Sequence, residues 1–408
     1  MHILVVSQYF YPEPFRINDM CKEWVKRGHE VTVVTGIPNY PEGRFYKGYG
    51  WFKKRKEIVD GINIIRLPLI ARGSSKIGLM LNYASFMISG RIFARFTKIK
   101  ADRVFIFEVS PMTQAFAGTV YAKRKHIPCT IYVQDLWPEN LEAVAHIKNK
   151  HIINAVDRMV DQIYRNCDHI LATSPSFKAH LEKRKSVYDT EGKSKVHYWP
   201  QYAEDFYKPL KDAERPSDFP RDENLKIAFT GNVGYAQGLQ ILPKVAKILK
   251  EKNLKVDFVI IGDGRYMPEF KVEIEKLKVG EYFSFLGRKA ATEIPKYLAY
   301  SDAGFISFAE DEIFNMTIPA KLQSYMACGK MILASAGGET KRVIEEAKCG
   351  IATSQGDVYA LARVIEEIIN SDNSEIKQYG DRAYEYASIA YSKSALMDSF
   401  EEIVSEAT

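Results

Sequence analysis

Cysteine is scarce in this chain and histidine is dispersed. The five cysteines, Cys21, Cys129, Cys167, Cys328 and Cys349, are odd in number and far apart. No pair has metal-ligand spacing, which argues against a zinc module or a disulfide scaffold and predicts reduced thiols in a cytosolic protein. The eight histidines form no cluster along the sequence. Excess charge is also small. A net charge of +6 is too mild to indicate nucleic-acid binding. There is no low-complexity tract and no short-period repeat. The uncharged, mostly apolar run from Ile77 to Gly90 is shorter than the ~20 residues a helix needs to cross a bilayer. Met1 is followed at once by a strand-like run, His2–Val6, so the reading expects no signal peptide.

What the chain does have is length and alternation. Its 408 residues exceed one typical core, so two domains are expected. With 46% hydrophobic and 26% charged residues, the chain is globular. His2–Ser7, Glu30–Thr35, Val104–Phe107, Thr130–Val133 and His169–Thr173 read as strands with helices between them, Ile17–Lys26 among them. The polar stretch from Trp199 to Asn224 holds Pro200, Pro209, Pro216 and Pro220 and reads as a linker. Alternation then resumes with strands at Leu225–Thr230, Val256–Ile261, Tyr282–Phe285, Ala303–Ser307 and Met331–Ala334, and a helix at Leu239–Lys250. Such a pattern predicts an α/β protein of two doubly wound Rossmann-like domains with a cleft between them. The boundaries expected are an N-terminal domain over 1–200, a C-terminal domain over 201–388, and a final helix in 389–408 packing back on the first domain.

The richest stretch runs from Thr317 to Glu339. It predicts a helix opened by Pro319 and closed by Gly329, then a buried strand, then Gly337-Gly338-Glu339 at the strand's ligand-facing end. Free amides at a helix start, Lys321 in the first turn and Glu339 beyond the next strand suit a nucleotide diphosphate and its ribose. An ordinary helix–strand unit with surface charges would read the same way. Gly231-Asn232-Val-Gly234, with Gln237 and Gly238, forms a Gly-rich turn after a strand. It lacks the dinucleotide fingerprint, and its physical content is close backbone approach to a phosphate. In the first half, the loop Tyr9–Asn18, which carries Arg16, follows the first strand. Gln134-Asp135-Leu-Trp-Pro-Glu139 follows a later one. Asp135 either faces a cleft or caps the next helix.

Between Asp60 and Asp102 there is no acidic residue, yet Arg66, Arg72, Lys76, Arg91, Arg95, Lys98 and Lys100 lie there. Arg91, Arg95 and Lys98 at helical spacing, interleaved with Ile92, Phe93 and Phe96, predict a helix that docks on an anionic membrane surface. A core helix with a wet basic edge is the competing reading.

Taken in order, Arg27-Gly28-His29-Glu30-Val31, Gly262-Asp263-Gly264, Phe285-Leu286-Gly287, Ser301-Asp302 and Met326-Ala327-Cys328-Gly329-Lys330 resemble the family 4 glycosyltransferases of GT-B fold over essentially the whole chain. Gln134–Pro138, Gly231–Gly234 with Ala236–Gly238, and Ile318–Lys321 with Gln323–Tyr325 look more closely like the subgroup that transfers N-acetyl-L-fucosamine or a related sugar in O-antigen and capsule synthesis. The resemblance implies a retaining transfer from a UDP-sugar, with no cofactor and no metal, to an undecaprenyl-diphosphate-linked saccharide. The protein would then be cytoplasmic, bound peripherally to the inner face of the plasma membrane, with no nucleic-acid partner. Gly231, Asn232, Gly234, Gln237, Gly262, Gly287, Arg288, Pro319, Lys321, Ser324 and Glu339 would hold the donor together with Arg16, and Asp135 and Lys321 would serve the chemistry.

The chain departs from the family pattern at four places. Met316 and Ser324 stand where the family has glutamates, and Asn232 and Gln237 where it has an arginine and a lysine. Lys321 and Glu339 are the expected substitutes. A non-hydrolysing UDP-sugar 2-epimerase and a non-catalytic nucleotide-sugar-binding protein share the architecture and stand as alternatives.

Overall fold

The computed structural model describes all residues except 74, 144–146 and 406–408. It contains two compact units, Met1–Trp199 with Ser399–Thr408, and Pro200–Asp398. In the first, the strands are β1 His2–Val6, β2 Glu30–Gly36, β3 Lys56–Val59, β4 Ile62–Leu67, β5 Arg103–Glu108, β6 Cys129–Val133, β7 His169–Ala172 and β8 Val196–Tyr198. They lie in the order β3-β4-β2-β1-β5-β6-β7-β8, parallel except for β3, which pairs antiparallel with β4. In the second, β9 Leu225–Thr230, β10 Val256–Ile261, β11 Phe283–Phe285, β12 Ala303–Ser307, β13 Met331–Ser335 and β14 Gly350–Thr353 form a wholly parallel sheet in the order β11-β10-β9-β12-β13-β14. Both are doubly wound α/β sheets, as the alternation predicted. Parallel strands are covered on both faces, so the central ones are continuous apolar runs; Val256–Ile261 is buried along its whole length.

Four strands escaped the sequence reading: β3, β4, β8 and β14. Each lies at or next to a sheet edge. Edge strands bury less, so their sequences lack the apolar run that marks a central strand. The helix start at Leu239 moves to Ile241.

The Pro-rich stretch read as a linker is packed into the second unit. Phe219 is buried in that unit's core, with the Arg215 guanidinium 5.5 Å from its ring centroid. Asp218 accepts from Lys289 Nζ at 2.6 Å and from the Tyr297 hydroxyl at 3.0 Å. Residues 399–405 belong to the first unit. There Phe400 packs on Trp24, Phe105 and Trp199, and Glu401 Oε1 lies 3.4 Å from Arg27 Nη1 and 3.1 Å from His29 Nε2.

Several matched motifs turn out to be structural. Gly28, at φ +84°, closes the first helix. Asp302 Oδ2 accepts from the Lys226 amide at 2.7 Å and so fixes the start of β9. Lys330 Nζ donates to Ser301 O at 2.8 Å and ties one loop to another.

Candidate active site

In the second unit, two glycine loops meet backbone to backbone at the carboxyl ends of β9 and β10. Gly231 N–H donates to Ile261 O at 2.9 Å and Val233 N–H to Asp263 O at 3.0 Å. A Cβ on Gly262 would stand 1.8 Å from Gly231 O, and one on Gly264 2.2 Å from Val233 O. Only glycine permits that contact, and φ of +153° at Gly262 adds to the requirement. Gly231 itself faces open space, with φ +119°. Asn232 is exposed, and Gly234 packs over its side chain. Gln237 closes a short 3₁₀ turn and its carbonyl takes a hydrogen bond from Ser307 Oγ at 2.5 Å. Gly287, at φ +67°, and Arg288 follow β11; Arg288 Nε lies 3.7 Å from Asp263 Oδ2, which joins that loop to the Gly262 loop.

Beyond β12 the chain makes a second, cationic corner. Pro319 is the N-cap of the helix Ala320–Ala327, so Lys321 falls at its second position. The Lys321 amine lies 3.8 Å from the centroid of the Phe229 ring at the end of β9. It has no hydrogen-bond acceptor and no carboxylate partner among the described residues. Burial alone pushes its pKa down to about 7. Ser324 is buried one turn further and donates its hydroxyl to Ala320 O at 3.1 Å, so that proton is used inside the helix. Thr340 Oγ1 donates to Thr317 O at 2.9 Å and clamps the next helix, Gly338–Ala347, to this corner. A Cβ on Gly338 would lie 1.9 Å from Asn315 O. Glu339, in the first turn of that helix, is buried and accepts at Oε2 from Arg342 Nε at 2.8 Å. Two helix N-termini thus stand side by side, each with amides that no intrahelical acceptor satisfies.

Asn315 was missed by the sequence reading. Its Oδ1 is buried without a donor among the described residues and lies 2.5 Å from where a Gly337 Cβ would be. No motif marks it, because its role depends on a loop folding against a helix start.

In the first unit, Asp135 follows β6. Its Oδ2 accepts from Ser110 N–H at 2.7 Å and from Ser110 Oγ at 2.6 Å, leaving Oδ1 unpartnered among the described residues. It bonds no helix amide there, so the capping alternative falls away. Beneath it, Glu108 is fully buried at the end of β5. Its Oε2 accepts from the Asp135 amide at 3.4 Å, and burial first, then the Asp135 charge, raises its pKa well above the carboxylate range. Arg16 is the N-cap residue of the helix Ile17–Lys26. Nearby Glu13 accepts from the Asn39 and Tyr40 amides at 2.7 Å each, and burial raises its pKa to about 7.

The basic helix spans Lys76–Phe96. Its buried positions are Asn82, Phe86, Gly90 and Ala94, while Ile77, Met80, Leu81, Ile88, Ile92 and Phe96 face solvent. It is the described helix long and apolar enough to meet a bilayer-length criterion, by length and composition only. Arg91 and Arg95 are on its exposed side, with Arg91 4.5 Å from the Phe116 ring centroid. Lys98 does not belong to that face. The helix ends at Phe96 with Thr97 as C-cap in extended backbone, and Lys98 lies in the following loop. Thr97 turns to extended backbone and its Oγ1 accepts from the Ile99 amide at 3.3 Å, a local bond that competes with helix and ends it before the basic spacing does.

Two family models divide the chain: Glycosyltransferase Family 4 over residues 16–201 and Glycosyl transferases group 1 over residues 211–386. WbjE of Pseudomonas aeruginosa, described as a glycosyltransferase, is 28% identical over 60% of this chain, which spans 61% of that relative's length. WcaI of Escherichia coli, described as a colanic acid biosynthesis glycosyl transferase, is 23% identical over 94% of this chain and 96% of its own. Among solved structures, a sucrose-phosphate synthase from Thermosynechococcus elongatus superposes with TM-score 0.77 at 14% identity over 100% of both chains. HepE of Anabaena, solved with UDP-glucose, gives 0.70 at 16% identity over 100% of both. The fold is GT-B. The chain carries a family 4 domain followed by a group 1 domain, and it is a glycosyltransferase.

Proposed function

We propose that the protein transfers a sugar from a UDP-sugar, with retention of configuration, to a lipid-linked saccharide in the assembly of a bacterial surface polysaccharide. The observation that carries the donor half is the half-buried Lys321, whose amine lies on the Phe229 ring in the first turn of its helix with no carboxylate partner among the described residues. A partly desolvated cation lacking a counter-charge is held at a cost. A diphosphate removes that cost by supplying the missing anion, and hydrogen bonds from its oxygens satisfy the helix amides. When the nucleoside diphosphate leaves, its charge grows, and these preset groups stabilise it more in the transition state than in the ground state. We propose that they do so without a bound metal.

Glu339 would hold the ribose hydroxyls, and Asn315 Oδ1 would accept from a donor hydroxyl. Asp135, with Oδ1 open and Oδ2 fixed by Ser110, orients the acceptor hydroxyl or takes its proton. The surface-polysaccharide setting rests on the relatives WbjE and WcaI, and UDP on neighbours solved with UDP-sugars. N-acetyl-L-fucosamine or a related amino sugar is the donor we favour from the motif resemblance. The exposed apolar side of Lys76–Phe96, edged by Arg91 and Arg95, would rest on an anionic leaflet at the cytoplasmic side, where an undecaprenyl-diphosphate-linked acceptor is available.

The test is incubation with UDP-N-acetyl-L-fucosamine, other UDP-sugars and a polyprenyl-diphosphate saccharide extract, followed by mass and anomeric analysis of the product. Transfer with the donor's anomeric configuration kept is expected. Inverted product, or no turnover with any UDP-sugar, rejects the reading.

A further inference from the structure

We propose that a second element of the first unit, the turn Gly50–Lys53 with Trp51 and Phe52 at its tip, inserts into an anionic lipid surface alongside the helix Lys76–Phe96. The inference rests on the membrane reading above and adds an anchor that no helix pattern marks. Gly50 and Lys53 form an isolated antiparallel bridge, so Trp51 and Phe52 occupy the two central positions of a tight turn. Phe52 is 95% exposed and Trp51 49%. An aromatic pair at a loop tip gains nothing from water, and single exposed residues are ordinary; a pair next to other exposed apolar groups is not.

The turn is rigid. Trp51 Nε1 donates to Leu69 O at 3.0 Å, and Arg55 Nη1 donates to Trp51 O at 2.9 Å. The Arg66 guanidinium and the Lys54 amine lie 4.8 Å and 5.0 Å from the Tyr49 ring centroid. The residue after Leu69 joins the turn to the helix: Ile70 N–H donates to Ser85 Oγ at 2.9 Å, and its carbonyl accepts from Asn82 Nδ2 at 2.6 Å. Ile70 is itself exposed, as is Ile77 in the helix's first turn. Two segments distant in sequence are thus held against the same short connection.

Charge decides the partner. The tip is followed directly by Lys53, Lys54, Arg55 and Lys56, and no acidic residue occurs from Gly43 to Lys56. Aromatic side chains at headgroup depth with basic residues beside them suit an anionic bilayer, whose potential acts within a Debye length of about 10 Å at 0.1 M salt. A zwitterionic surface would use the aromatics and leave the cations unpaid.

Trp51 is the most exposed of the four tryptophans, since Trp24 and Trp199 are buried and Trp137 is half-buried, and the signal that Trp51→Phe removes is its own. Full-length protein is mixed with phosphatidylglycerol vesicles containing a brominated acyl chain, and cosedimentation and tryptophan emission are read together. Quenching and a blue shift are expected in the parent and in Arg91→Glu to the extent that it still binds, and are lost in Trp51→Phe. Phe52→Ser should weaken binding roughly tenfold or more with an unchanged melting curve. Parent protein that sediments with vesicles but shows no quenching, with Phe52→Ser binding equally well, overturns the second anchor and leaves the helix reading standing. Parent protein that stays in the supernatant at low salt overturns both. A concentration-dependent dimer abolished by Phe52→Ser, with vesicle binding unaffected, would assign the tip to a second copy of the chain instead and also overturn the inference.

Discussion

The Lys321 amine rests 3.8 Å from the centroid of the Phe229 ring. One residue comes from the start of a helix and the other from the end of β9, and a partly desolvated cation is left between them. The ring face attracts the cation but cannot replace a counter-ion. Burial without an anion explains a pKa near 7.

Lys321→Met should therefore separate function from stability. Loss of a charge-assisted bond to phosphate costs about 1.5–3 kcal/mol, or roughly tenfold or more in UDP affinity. The same change should raise Tm, because it removes a partly desolvated cation without a counter-charge. Calorimetry and a melting curve check both; unchanged UDP affinity removes Lys321 from the donor site.

The same amine predicts a pH dependence. Its folded-state pKa lies below the ordinary lysine value, so the unfolded chain binds the proton more tightly. The penalty is complete below about pH 7 and is relieved as pH rises from there toward 10.5, so this group adds stability with rising pH over that window. UDP favours the charged amine, so binding near pH 7.5 should take up protons. Titration calorimetry in two buffers of different ionisation enthalpy measures that uptake, and equal apparent enthalpies would contradict it.

Glu339→Gln keeps shape and removes the ionised acceptor. A loss of several-fold in affinity is expected for UDP and for UDP-sugar alike, since ribose is common to both. A role confined to the ion pair with Arg342 would lower Tm and leave UDP affinity intact.

Glu108 lies under Asp135, and burial first, then the Asp135 charge, raises its pKa well above the ordinary value. Glu108→Gln, which resembles the protonated acid, should retain turnover within about threefold, whereas Glu108→Ala should lose it roughly tenfold by leaving the Asp135 amide without its acceptor. Rescue by glutamine but not alanine is the signature to look for in kcat; equal loss in both would mean that the ionised form is needed.

The helix gives the fifth test. Arg91→Glu with Arg95→Glu should weaken binding to phosphatidylglycerol vesicles by more than tenfold at low salt, while Lys98→Glu should do less, because Lys98 stands outside the helix. Transfer to a short water-soluble acceptor should survive all three changes.

The sequence by itself determined the central strands of both sheets. Val256–Ile261 and Leu225–Thr230 announce themselves because a strand covered on both faces must be apolar throughout, and that requirement is local. It also marked Gly231, Gly262 and Gly338, whose backbone conformations or contacts are closed to other residues. The tertiary structure decided the rest. That Lys321 has no carboxylate partner among the described residues, that Asn315 keeps a buried acceptor open, and that the Trp51 turn and the Lys76–Phe96 helix are both hydrogen-bonded to the Leu69–Ile70 connection all depend on which distant segments meet. Periodicity records how much of a residue is covered. It cannot record by what, and the charge and hydrogen bonding of a site are set by the covering group.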